Sequence, residues 1–240
     1  MKNLILASLC LVTHLAFASS ENKEFEAKGL TAILLENMSG KVVISSFEGP
    51  QAIVASTKNK FSDKCKMTIE KTGSKLVLKV EKSSGLFLSE ECDIDFDIKV
   101  PKAIDLDIAV GSGDLTINGI QGSLTFKVGS GNVLADGLFK RIDGKLGTGK
   151  IELKGLLGGG ELKTGSGKMD LTFAKSSLKG ELDIKTGSGD VTVFFPKDSK
   201  VKTNFYAGSG QVSNELGDSS KALFVIMMNA GSGNLNIKSY

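Results

Sequence analysis

The chain has 240 residues with 30 basic and 27 acidic side chains, 29 glycines, three prolines, three cysteines, one histidine and no tryptophan. A formal net charge of only +3 gives no general reason to expect a nucleic acid or a strongly anionic membrane as partner. Aromatic residues make up 6%, too few for the two girdles of an outer-membrane barrel.

Residues Met1–Ala18 read as a secretory signal peptide. Lys2 supplies the positive end, Leu4–Leu15 the apolar stretch and Ala16-Phe17-Ala18 an A-x-A cleavage site. The apolar run is too short to span a bilayer. Cys10 is not placed as a lipoprotein anchor, because Leu9 stands where that motif wants a small residue. Cleavage after Ala18 would remove Lys2, Cys10 and His14, and with His14 any Ser-His-Asp triad or His-ligated zinc. The expectation is an exported protein (periplasmic, on the cell surface or secreted) with no membrane span once the leader is gone.

Residues 19–103 are expected to hold the first coil and an irregular β cap. Ser19–Lys28 is polar and reads as a flexible lead-in. Leu30–Glu36 and Lys41–Ser45 flank Met38-Ser39-Gly40, a degraded copy of a turn that recurs later, and Ala52–Thr57 is a further strand. Between Lys58 and Pro101 the runs Lys66–Glu70, Leu76–Glu81 and Asp93–Val100 alternate like strands. Turn signals separate them at Thr72-Gly73-Ser74 and Ser83-Ser84-Gly85. Alternation puts Cys65 and Cys92 on the apolar faces of their strands. In an oxidising compartment they are expected to form a disulfide; the alternative is a pair of buried free thiols.

Residues 104–240 carry one small turn seven times: Gly111-Ser112-Gly113, Gly129-Ser130-Gly131, Gly147-Thr148-Gly149, Gly165-Ser166-Gly167, Gly187-Ser188-Gly189, Gly208-Ser209-Gly210 and Gly231-Ser232-Gly233. First glycines recur at intervals of 18, 18, 18, 22, 21 and 23 residues, the signature of a repeat architecture. Four places after each stand Leu115, Val133, Ile151, Met169, Val191, Val212 and Leu235. Three places before each stand Ile108, Phe126, Gly144, Leu162, Ile184, Phe205 and Met228. Apolar residues at every second position on both sides of a turn mean strands with one buried face. The fold expected is all-β: a single-stranded parallel β-solenoid with about 18–23 residues per coil, each rising about 4.8 Å. The last unit stops at Tyr240, which would leave its far edge open.

Three surface features bear on function. Two places before the turns stand Lys127, Lys145, Lys163 and Lys185, with Asp107, Thr125, Asp143, Glu161 and Asp183 two places earlier. The lysines are either a ladder for a repeating anionic polymer, such as an acidic envelope polysaccharide, or a solvated face whose acids offset their repulsion. Alternation turns Leu223, Val225 and Met227 outward, with Phe194 nearby. That strip is either covered by the C-terminal tail or a self-association or partner-docking edge. Asp93, Asp95 and Asp97, with Glu90 and Glu91 beside them, are the one acidic group to weigh as a glycosidase-like pair. The Gly-Ser-Gly turns lack the following Gly-Lys-Ser/Thr of a phosphate cradle. Only Asp114 and Asp190 occupy the place where calcium repeats need an aspartate in nearly every unit. No catalytic, cofactor or metal residue is assigned.

From Ile98 the run IKVPKAIDLDIAVGSGDLTINGIQGSLTFKVGSGNV resembles the bacterial candidate-adhesin family of β-strand-repeat envelope proteins. The resemblance lies in Val100-Pro101, in Ser112-Gly113-Asp114-Leu115-Thr116-Ile117 and in Ser188-Gly189-Asp190-Val191-Thr192-Val193. It implies an exported, non-enzymatic solenoid serving as a binding or structural module, partnered by envelope polysaccharide or another envelope protein. The alternative is a polysaccharide-active lyase or glycosidase on the same β-helix.

Overall fold

The computed structural model describes residues 19–83 and 92–240. The leader, Ser84-Gly85 of one expected turn, and Glu90 and Glu91 lie outside the described residues. Those residues form 19 strands and no helix, joined in one continuous ladder.

The repeats pair in parallel, each on the next, with their turns in register. On one face Leu115 lies opposite Val133, then Ile151, Met169 and Val191. On the other, Ile108 lies opposite Phe126, then Gly144, Leu162 and Ile184. Two 16-residue strands, Leu115–Ser130 and Val133–Thr148, carry the ladder round the corner between the faces. The inward side chains of both faces merge into one buried core. Gly144, the gap in a column of large residues, is filled from its neighbours: a Cβ there would run into the Phe126 ring and approach Leu162 to 2.8 Å.

The two glycines of each turn do different work. The third residue holds positive φ, for example 132° at Gly113 and 136° at Gly149, a region closed to most side chains. The first has ordinary φ but lies against the carbonyl oxygen of the turn beneath, so that a Cβ at Gly129 would overlap the oxygen of Gly111. Carboxylates and amides tie the turns together. Asp114 Oδ1 accepts the backbone N–H of Asn132 at 2.7 Å, and Asp190 Oδ1 that of Asn234 at 2.8 Å. Aspartate in these turns therefore bonds to the neighbouring coil.

The degraded turn Met38-Ser39-Gly40 stacks directly on the first repeat: Ser39 opposite Ser112, Val42 opposite Leu115, Ile44 opposite Ile117. Beyond it, Lys75–Lys82 and Asp93–Val100 still pair in parallel with Ala32–Ser39 and Val42–Ser46. Pairing then turns antiparallel. Gln51–Lys60 runs against Asp93–Val100, and Cys65–Thr72 against Lys75–Lys82. Cys65 and Cys92 are joined by a disulfide, with Cα atoms 5.8 Å apart. The expected flexible lead-in is a strand instead: Ser19–Glu26 pairs antiparallel along Gln51–Lys60. It is the outermost strand on that face, and its Glu21, Lys23, Glu24 and Glu26 suit an edge that must not recruit another strand.

At the C-terminal end the stack leaves chain order. The seventh unit lies between the fifth and the sixth: Ile184 is opposite Met228, which is opposite Phe205, and Val191 is opposite Leu235, which is opposite Val212. Burial accounts for the exchange. The inward residues of the seventh unit, Phe224, Ile226, Met228, Leu235 and Ile237, are fully buried and need cover on both sides. Phe224 also packs edge-on against Phe173 and Phe195, at 5.2 and 6.3 Å between ring centroids. The sixth unit places Thr203 and Asn214 inward, residues suited to an open end. Asp218 closes over them, accepting from Thr203 N at 3.0 Å and Asn214 Nδ2 at 3.1 Å. The open edge is therefore Val201–Ser209 with Val212–Asn214, not the last unit of the chain.

Two outcomes test this packing. Gly149→Ala should lower the urea-unfolding free energy by roughly 2–4 kcal/mol, since it combines strained φ with overlap on the Gly131 carbonyl. A chain ending at Lys221 should lose hydrogen-exchange protection over Val201–Ser209 while Leu115–Ser130 stays protected. Retained protection would mean that the sixth unit can dock on the fifth, and that burial does not set the order.

Candidate functional site

The outward positions of the second face form columns along the stack axis. The lysine column reads Glu36, Ala109, Lys127, Lys145, Lys163, Lys185, Asn229, Tyr206, each residue paired in register with the next. Beside it runs the column of first glycines, a floor without side chains. Met38 occupies the same place in the degraded turn, where the Gly111 position lies against its carbonyl oxygen. It is 40% exposed and forms the end wall of that floor.

Floor and rail border a cleft of about 740 Å³ that runs from Glu36, Asn37, Met38 and Val80 past Val110, Val128 and Leu146 to Thr164. Lys127, Lys145 and Lys163 edge it, and its lining is mainly apolar. A second recess of about 530 Å³ shares Lys163 and Thr164 and continues to Tyr206.

The four lysines are not equivalent. Glu161 accepts Lys163 at 2.7 Å and Lys185 at 2.9 Å, and Asp183 holds Lys185 at 2.7 Å. Hydrogen bonds from Lys163 and then Lys185 pull the Glu161 carboxyl down to about 2, and Asp183 and Glu161 raise the Lys185 ammonium above its ordinary value. Asp143 is held by Arg141, whose Nη2 lies 2.9 Å from Oδ1. Thr125 interrupts the acidic column beside Lys127. Lys127 and Lys145 make no ion pair among the described residues. Of the four lysines expected as a ladder, two are therefore ion-paired with acids, and the other two edge the cleft.

A model of the Toastrack DUF4097 family matches residues 19–238. The chain belongs to that family. No curated protein matches it. Among solved structures, this Toastrack chain is similar to a candidate cell adhesion protein from Clostridium sporogenes (19% identity, 93% of this chain and 100% of that one, TM-score 0.42). It is also similar to a candidate adhesin from Bacteroides fragilis (13%, 92% and 97%, TM-score 0.46) and a candidate lipid binding protein from Parabacteroides distasonis (14%, 92% and 96%, TM-score 0.45).

The other expected sites of the Toastrack chain fall elsewhere. Asp93 accepts from Ser39 Oγ at 3.1 Å and Asn59 Nδ2 at 2.9 Å, and Asp95 accepts the Lys41 N–H at 2.6 Å. Two of the three aspartates are thus committed, Asp93 to side chains of neighbouring strands and Asp95 to the turn at Lys41. Val225 and Met227 sit half-buried in an interior strand of the stack, between Glu181 and Lys202 and between Asp183 and Asn204. Only Leu223 of that strip is well exposed, at 63%. The described residues contain no group of three or more metal-ligating side chains, and no helix long and apolar enough to cross a membrane. The cleft itself was not foreseen from the sequence; its one signal is Met38 standing where every later turn has glycine.

The Glu161 pairing predicts a pH response. Its carboxyl is depressed in the folded protein, so its contribution to stability is present above the ordinary pKa of 4.5 and is lost as pH falls through about 2. A carboxyl-carbon NMR titration of Glu161 should show a midpoint well below 4.5, moving back up in a Lys163→Ala, Lys185→Ala chain.

Proposed function

We propose that the protein is an exported, non-enzymatic binding module of the cell envelope, built as a one-stranded parallel β-solenoid that holds an extended anionic ligand along its lysine-edged face. In this reading Met1–Ala18 is a removed leader, residues 19–103 are the first coil and cap, and residues 104–240 are the repeats. Export is supported by the A-x-A leader and by the Cys65–Cys92 disulfide, a bond typical of oxidising compartments. The observation that carries the binding reading is the pairing of uncompensated Lys127 and Lys145 with a concave, side-chain-free floor. Lysines facing each other across about 4.8 Å repel by roughly 1 kcal/mol in water, a cost that an anion between them turns into attraction. The enzymatic alternative is disfavoured by the structural hydrogen bonds at Asp93 and Asp95, which an acid/base pair would have to break.

The test is retention on immobilised polygalacturonate at low salt. Retention should weaken as salt rises and be lost in a Lys127→Glu, Lys145→Glu chain, with little change for Lys163→Gln. Glu161→Gln should strengthen it, because Lys163 is released to the rail while Lys185 keeps only Asp183. Retention that ignores both Lys127 and Lys145 would remove this face as the binding surface.

A further inference from the structure

We infer that the cleft is a site for a single-chain amphiphile with an anionic head, the acyl chain lying at the Met38 end and the head between Lys127 and Lys145. The inference rests on the binding reading above and names its ligand class. What carries it is the change of character along one column. At the second position the lysine of later units is replaced by Ala109, and beside Met38 itself the column holds Glu36, so the cationic rail stops before it reaches Met38. Glu36 also lines the cleft; Lys79 lies 3.7 Å from it but is held more closely by Glu81, at 2.7 Å, so this end repels an anionic head and leaves the head to the lysines. Met38, Ala109, Val80 from the neighbouring strand and Val110 from the first repeat supply its apolar surface, beside Asn37. One residue pair further along, the rim becomes cationic and uncompensated. A polyanion would use the lysines but gain nothing from Met38, Val80 and Ala109. A neutral lipid would use that end and gain nothing from the lysines. An anionic single-chain amphiphile uses both, and the cleft volume of about 740 Å³ is of the size that takes a small ligand.

The probe is sodium dodecanoate, titrated calorimetrically below its micelle concentration into the folded chain. Saturable binding of about one dodecanoate per chain is expected, weakened at least tenfold by Lys127→Glu with Lys145→Glu. Met38→Glu should weaken it as much; should that chain misfold, Ala109→Lys changes only an outward position. Ala109→Lys is the deciding variant. It should weaken dodecanoate binding yet strengthen polygalacturonate retention, since it extends the charge into the apolar end. Dodecanoate that fails to bind, or binds equally well to Ala109→Lys and Met38→Glu chains, overturns the amphiphile. So does binding to phosphatidylglycerol vesicles without binding of monomeric dodecanoate. If polygalacturonate retention survives in those cases, the anion-binding face stands and only the ligand class is lost. If neither probe depends on Lys127 and Lys145, both readings go.

Discussion

The stack depends on one steric condition: successive turns must lie a single strand spacing apart, with a carbonyl oxygen of one turn against a Cα of the next. That approach leaves no room for a Cβ, and it explains two glycines in each turn by two separate causes. Once the turns are spaced this closely, inward side chains fall over one another and hydrogen-bonded ladders follow on both faces. A lone unit could not bury its apolar face; stacking on a neighbour lets each unit do so, and the end unit carries polar residues where cover is missing. The same condition shapes the surface. A column where no side chain fits is a groove, so the cleft floor is a by-product of the stacking that stabilises the core.

Much of this was legible in the chain because it is periodic. The buried columns, the register of the turns and the likeness of Met38-Ser39-Gly40 to the later turns all come from counting residues, and they reappear as paired Cα positions. The cysteine pair followed from alternation within two strands. What escaped is non-local. Ser19–Glu26 looks like a polar lead-in because its partner, Gln51–Lys60, lies far along the chain. The exchange of the sixth and seventh units is invisible to spacing, since both carry the same turn. It becomes readable only when the inward residues are compared: Thr203 and Asn214 tolerate an end, whereas Phe224, Ile226 and Ile237 do not.

The charge columns show a similar division. From sequence, four lysines and a parallel row of acids are either a ladder or a compensated face; in the structure Lys163 and Lys185 are paired with acids, and Lys127 and Lys145 make no ion pair among the described residues. Around Glu161 compensation dominates, because one carboxylate lies within bonding distance of two lysines on adjacent coils. Around Lys127 it fails, because Thr125 takes the acid's place and Arg141 occupies Asp143. Exposed pairs of this kind add little stability, generally less than about 1 kcal/mol each. Their main effect is therefore on where the surface stays positive.

Stability and surface chemistry are in this way assigned to different positions of the same repeat. The inward residues and the glycines are constrained by stacking, so changing them threatens the fold. The outward place two residues before each turn is free of that constraint: Glu36, Ala109, Lys127, Lys145, Asn229 and Tyr206 all occupy it without disturbing the register. A one-residue change there alters the chemistry of a continuous rail every 4.8 Å or so. Along the stack that place runs from Glu36 through Ala109 and the lysines to Asn229 and Tyr206, so charge and polarity change along one face while the core and the turns stay the same.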